Sequence, residues 1–243
     1  LLCEMKKFNE ALSCYNKAIK INPNFSEAYN NRANILKEFK KFNEALEDCN
    51  KAIKINPKNA KAYYNLAIVQ KELKQHDMAI ESSNLAIKYN PNYAEAYKNK
   101  GHIFSDLKKY NEAFNNFSQA FKINPNLDYL LGSLIFSKHC ISEWQSFDKD
   151  LKNLSDKILK KYKICTPFQS LRFFDSPELQ KIAAQTYVKE KYSNKNDLIP
   201  IADKKLNKKI RIGYYSADFR NHAMSFLFAN LFELHDKSKF ELI

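Results

Sequence analysis

Along residues 26–127 apolar side chains recur at intervals of three and four, the spacing of a helix with one buried face. From Ser26 to Asn59, Tyr29, Ala33 and Leu36 mark one such face, and Ala45, Leu46, Cys49 and Ala52 mark a second. Two helices are therefore predicted, with the lysine pair Lys40-Lys41 between them and Pro57 at the end. Proline has no N–H for the helix ladder and holds the preceding residue in an extended conformation.

The pattern repeats. Pro23, Pro57, Pro91 and Pro125 are 34 residues apart, each preceded by Asn. Ala11, Ala45, Ala79 and Ala113 keep the same period, as do Ala18, Ala52, Ala86 and Ala120. This grid resembles the tetratricopeptide repeat, in which paired antiparallel helices bury their apolar faces only by stacking on their neighbours. Complete units run from Ser26 to Asn59, Ala60 to Tyr93 and Ala94 to Leu127, and residue 1 falls inside the first helix of an earlier unit. A stacked array normally ends in a polar cap, and Leu1 is not a start Met, so the chain reads as a piece of a longer protein.

The sixth residue of each complete unit is Asn31, Asn65 or Asn99, a position that faces the concave groove of a tetratricopeptide superhelix. A primary amide carries both donors and an acceptor, so a ladder of them suits the backbone of an extended polypeptide whatever its sequence. The competing expectation is that these amides serve neighbouring helices. The pairs Lys6-Lys7, Lys40-Lys41 and Lys108-Lys109 fall at the turns within units and read as solvated surface.

After residue 127 the grid breaks. Tyr129 to Leu134 opens a more apolar helix, followed past Trp144 by a helical stretch to about Tyr162, together a terminator for the array. Thr166 to Asp175 reads as an irregular aromatic connection, and Ser176-Pro177-Glu178 as the start of a helix reaching about Lys191, with an N-cap, a first-turn proline and an acid at the positive end. Residues 193–209 are polar, lysine-rich and linker-like. Ile210 to Tyr215 then reads as a strand, Ala223 to about Leu234 as a helix, and Phe240 to Ile243 as a second strand, the opening of a doubly wound α/β domain. The domains expected are thus 1–127 repeats, 128–192 terminator and inter-domain helices, 193–209 linker and 210–243 the start of an α/β domain.

Composition removes several classes. The chain has 243 residues and only three glycines, Gly101, Gly132 and Gly213, too scattered for a phosphate-cradling loop. No apolar run is long enough for a membrane span or a signal peptide, and cytoplasmic residence is expected. Five cysteines without C-x-x-C spacing point to reduced, packed thiols. The net charge of +13 comes from 40 basic residues of which only Arg32, Arg172, Arg211 and Arg220 are arginine. The bidentate arginine contacts that read bases are thus nearly absent, and nucleic acid is not an expected partner.

The repeats, the string YLLGSLIFSKHCISEW, the helix FFDSPELQKIAAQTYVKEKY and the strand-loop IRIGYYSADFRNHAMSFLF together resemble the O-linked N-acetylglucosamine transferase and SPINDLY-like family. The resemblance implies a mainly α chain in which the superhelix precedes the first βαβ elements of a GT-B glycosyltransferase. It also implies inverting, metal-free transfer of a sugar from a nucleotide donor, UDP-N-acetylglucosamine or a fucosyl donor, onto Ser or Thr of proteins. Asn31, Asn65 and Asn99 match the asparagines that hold the acceptor polypeptide. Ser216, Asp218, Phe219 and His222 match the active-site loop, with His222 as base or acceptor-positioning group and Arg220 at a variable position. His222 precedes a predicted helix, whose positive end favours neutral imidazole. The other histidines, His76, His102, His139 and His235, read as structural or solvated. The donor-holding half of such an enzyme has no counterpart here, so this polypeptide is expected to bind peptide but not donor. A noncatalytic repeat adaptor is the competing expectation.

Overall fold

Each hairpin of the chain is bounded by two turns with separate chemistry. In the computed structural model, which describes residues 7–192, 210–212, 236, 238 and 240–242, the first seven helices are α1 (Phe8–Ile21), α2 (Ser26–Glu38), α3 (Phe42–Ile55), α4 (Ala60–Glu72), α5 (His76–Tyr89), α6 (Ala94–Asp106) and α7 (Tyr110–Ile123). Between hairpins, Asn22, Asn56, Asn90 and Asn124 are the C-cap residues, extended as the following proline demands. Their side-chain oxygens accept from the N–H of Asn24, Lys58, Asn92 and Asn126 at 3.0, 3.2, 3.3 and 3.1 Å. The Asn thus folds back over the proline as an Asx-turn, which explains the pairing of the two residues.

Within hairpins the first helix closes in a Schellman motif. Lys41 N–H reaches the carbonyl of Leu36, Gln75 that of Gln70 and Lys109 that of Phe104, all at 2.9 Å. The motif needs a left-handed residue, a place usually given to Gly. Here Lys40, Lys74 and Lys108 take it with φ near 60°, at 59°, 63° and 60°.

The grid alanines sit where helices cross. Ala45, Ala52, Ala79, Ala86, Ala113 and Ala120 are fully buried, as are Ala33 and Ala67 on first helices. Consecutive helices pack on one another along the array, and the first helices also touch each other, α2 with α4 and α4 with α6. The third unit varies the theme. Gly101 stands where the first two units have Ala33 and Ala67, and Phe117 stands where they have Cys49 and Ser83. A Cβ on Gly101 would lie 2.6 Å from the Phe117 ring, so the larger ring requires the smaller residue.

The array ends on α8 (Leu130–Cys140), which is buried on opposite sides. Leu130 and Leu134 join the cluster of Ala113, Phe117 and Ala120, while Leu131 and Ile135 join Leu154, Ile158, Ile164 and Phe173. The latter come from α9 (Phe147–Leu159), α10 (Pro167–Phe173) and the segment between them, with α11 (Pro177–Tyr192) adding Ala183. Gly132 donates its N–H to the carbonyl of Ile164 at 3.0 Å. The stretch Thr166 to Asp175, expected to be irregular, is helical over α10. Its start is a capping box: Thr166 accepts from the Gln169 N–H, and the Gln169 side chain accepts from the Thr166 N–H. The box and the proline at its first turn override the aromatic-rich composition.

The chain divides into two units, Leu1–Ser193 and Asn194–Ile243. In the second, β1 (Ile210–Ile212) and β2 (Phe240–Leu242) pair in parallel, with Ile210 opposite Phe240 and Ile212 opposite Leu242. Parallel neighbours need a crossover connection. The predicted linker, active-site loop and following helix lie outside the described residues. Among the described residues no helix is long and apolar enough to cross a membrane.

Gly101→Ala is expected to cost about 1–3 kcal/mol by overpacking, and Gly101→Ala with Phe117→Leu to recover part of that loss. Urea midpoints for the two single variants and the double variant measure the coupling.

Candidate polypeptide-binding site

Asn31, Asn65 and Asn99 occupy equivalent turns of α2, α4 and α6, the helices that touch along the array. Asn31 is exposed, whereas Asn65 and Asn99 are each only 8% accessible. A residue that the reading of the sequence passed over connects two of them. Asn65 Nδ2 donates to Asn30 Oδ1 at 2.8 Å, and Asn30 Nδ2 reaches Asn31 Oδ1 at 3.5 Å. The adjacent Asn30-Asn31 pair was visible in the sequence, but its role depends on how far apart α2 and α4 lie. Asn65 thus already donates to a residue of the neighbouring helix α2.

Asn99 differs. Its Nδ2 is buried and has no hydrogen-bond partner. A buried donor left unpaired costs about 1–3 kcal/mol. The residue that stands to Asn99 as Asn30 stands to Asn65 is Tyr64, which offers no amide oxygen; Lys98, beside Asn99, gives its ammonium to the carbonyl of Asp128 at 3.0 Å. The row of amides is therefore closed at its first two units and open at the third.

His102 lies one turn on from Asn99, its ring 5.0 Å from Phe117 in an edge contact. Burial pushes its pKa down to about 3, helped by the ammonium groups of Lys71 and Lys98, so the ring is neutral at physiological pH. Tyr64 and Tyr93 pack with ring centroids 5.0 Å apart. Burial, and then the charge of Glu95, push Tyr64 up to about 12. By contrast, the buried carboxylate of Asp48 is closed off: Arg32 holds it through Nε and Nη2 at 2.6 Å each and gives Nη1 to Asn16 at 2.8 Å. That pair fastens α2 to α3.

Ser216, Asp218, Phe219 and His222 lie outside the described residues. Among the described residues no group of three or more His, Cys, Asp and Glu could hold a metal ion.

Residues 26–59 and 94–127 match the family described as tetratricopeptide repeat, residues 1–39 a family described as TPR repeat, and residues 49–81 a further tetratricopeptide repeat family. The chain carries tetratricopeptide repeats. Solved structures show the same architecture. MamA is 22% identical, with a TM-score of 0.58, over 66% of this chain and 94% of its own. MamA from Desulfovibrio magneticus RS-1 is 16% identical, with a TM-score of 0.56, over 64% of this chain and 88% of its own. YrrB, a TPR protein with an unusual peptide-binding site, is 18% identical, with a TM-score of 0.51, over 76% and 87%. At these identities the likeness concerns the fold alone. No curated protein matches the sequence.

Two outcomes test these assignments. Asn65→Ala breaks a buried hydrogen bond and is expected to cost about 1 kcal/mol, while Asn99→Ala removes an unpaired donor and leaves the urea midpoint unchanged or raised. The second concerns pH. With His102 depressed well below its unfolded value, the unfolded chain takes up a proton that the folded chain refuses, so stability falls as pH drops from about 6.5 towards 3. His102→Leu should flatten this slope, by at most about 1.4 kcal/mol per pH unit, in denaturation curves recorded at pH 7, 6 and 5.

Proposed function

We propose that the repeats bind an extended polypeptide through the amides of Asn31, Asn65 and Asn99, and that the chain is the acceptor-binding part of a protein O-glycosyltransferase. The observation that carries the first half is the open, buried Nδ2 of Asn99 in line with the amide chain of Asn31, Asn30 and Asn65. A backbone carbonyl would satisfy it once the amide rotates outward, and the backbone is the one feature that all acceptor polypeptides share. The peptide-binding site named for YrrB supports the same use of the same fold.

The second half rests on the strand-loop string from Ile210 to His222 and its likeness to O-linked N-acetylglucosamine transferases. In this reading His222, with Ser216, Asp218 and Phe219, serves the hydroxyl that attacks the sugar, and UDP-N-acetylglucosamine is the donor of the full-length enzyme. A noncatalytic adaptor makes the same use of the amides, and the Asn99 observation favours it equally.

Binding of a fluorescent neutral peptide of Ala, Ser and Thr should weaken about tenfold in Asn65→Ala with Asn99→Ala, the equivalent of one or two hydrogen bonds. Unchanged affinity would sink the amide reading. For the enzyme, the full-length protein given UDP-N-acetylglucosamine and a Ser/Thr peptide should transfer sugar, and His222→Ala should slow this by about 10²–10⁴. Peptide binding without transfer would leave the adaptor.

A further inference from the structure

Two cavities open beside one another in the helices that follow the repeats. One, of about 430 Å³, is lined by Lys161, Lys163 and a single stripe of α11 that includes Ile182, Thr186, Lys189 and Glu190. The other, of about 370 Å³, is lined by Asn126, Asp128, Tyr162 and Ile164 with the same Lys161 and Lys163. These two lysines line both spaces. Lys161 is held there by the left-handed turn that ends α9, with φ 58°.

The carboxylates on these walls are already engaged. Glu190 accepts from the Tyr129 hydroxyl and lies 3.8 Å from Lys163 and 3.7 Å from Lys191. Burial opposes its ionisation, yet the Tyr129 hydrogen bond and the two ammonium groups outweigh burial and hold its pKa below the usual value. Asp128 lies 3.5 Å from Lys163. Lys161 and Lys189 form no ion pair with any described carboxylate. The walls thus carry Lys161, Lys163 and Lys189 against Asp128 and Glu190, with Lys98 and Lys191 beside them, and present a net positive charge over apolar side chains.

This basic enclosure adjoins the open end of the amide row. Lys98, the residue before Asn99, gives its ammonium to the carbonyl of Asp128, which lines the second cavity. We propose that the paired cavities receive acidic side chains of the polypeptide whose backbone lies on the Asn amides, so that segments carrying Asp or Glu at one end are selected. The inference rests on the peptide-binding reading and adds a substrate class to it. A polypeptide fits the two observations jointly: the amide seeks a backbone acceptor, and the two unpaired lysines seek carboxylates, which a single segment can supply together. The carboxylates would meet lysine point charges, which need no fixed bidentate geometry and tolerate either Asp or Glu.

The test uses the whole chain and three 14-residue fluorescent peptides, read by anisotropy at low salt. One is neutral, of Ala, Ser and Thr; the others carry Asp-Glu-Asp at the N-terminal or the C-terminal end. One acidic peptide should bind about tenfold more tightly than the neutral one. Lys161→Glu with Lys189→Glu should abolish that gain and leave the neutral peptide unaffected; both side chains are exposed, so circular dichroism should be unchanged. Lys161→Gln with Lys189→Gln should give an intermediate loss. Equal binding of all three peptides overturns the inference while the amide reading stands. A gain that survives charge reversal, or equal competition by a 12-nucleotide single-stranded RNA, overturns it too. Failure of every peptide to bind defeats the underlying reading as well.

Discussion

The close crossing of helices at residues with almost no side chain is the constraint on which the rest of the repeat stack depends. At the grid alanines one helix lies almost directly on the next, and nothing larger fits without moving a neighbour. Where the third unit places a ring on one side, at Phe117, it reduces the other side to Gly101. The crossings fix how far α2, α4 and α6 stand apart. That separation lets the Asn65 amide meet Asn30, and it places Asn99 next in the row with a donor to spare.

What the sequence made legible follows from how local each cause is. The period of 34, the Asn-Pro turns and the paired helices all arise from contacts within one unit or between neighbours, so spacing alone displays them. The helix from Pro177 was legible because its cap, proline and acid are adjacent residues. The missed helix from Pro167 carried its signal too, in Thr166 and Gln169, but seven residues rich in aromatics gave no periodicity to support it. The Asn30–Asn65 bond joins residues 35 apart, and the Tyr129–Glu190 bond joins residues 61 apart. Nothing in the local pattern distinguishes such asparagines from the many on the surface, or separates Lys161 and Lys189 from the other lysines of the chain.

The same contrast applies to charge. The excess of lysine looks like a general habit of composition, and for the left-handed turns at Lys40, Lys74 and Lys108 exposure to solvent is all that their side chains require. Around residues 161–191 lysine has a different setting. There the carboxylates are engaged, the walls are concave and partly apolar, and two ammonium groups form no ion pair with a described carboxylate. Identical residue types thus have different roles, decided by whether the fold places an anion within reach.

The helix α8 bears on how such a protein can change size. Its Leu130 and Leu134 side is the surface on which one more hairpin would have to sit, and its Leu131 and Ile135 side is occupied by α9 and α10. A Gly132 backbone bonded directly to Ile164 leaves no room to slip a hairpin between them. Gene duplication could therefore lengthen the array by copying a 34-residue block ahead of α8, whose two faces match those of its neighbours, but not by adding one between α8 and α9. Growth would move the amide row farther from its terminus one rung at a time, while the junction at α8 passed through each enlargement unaltered.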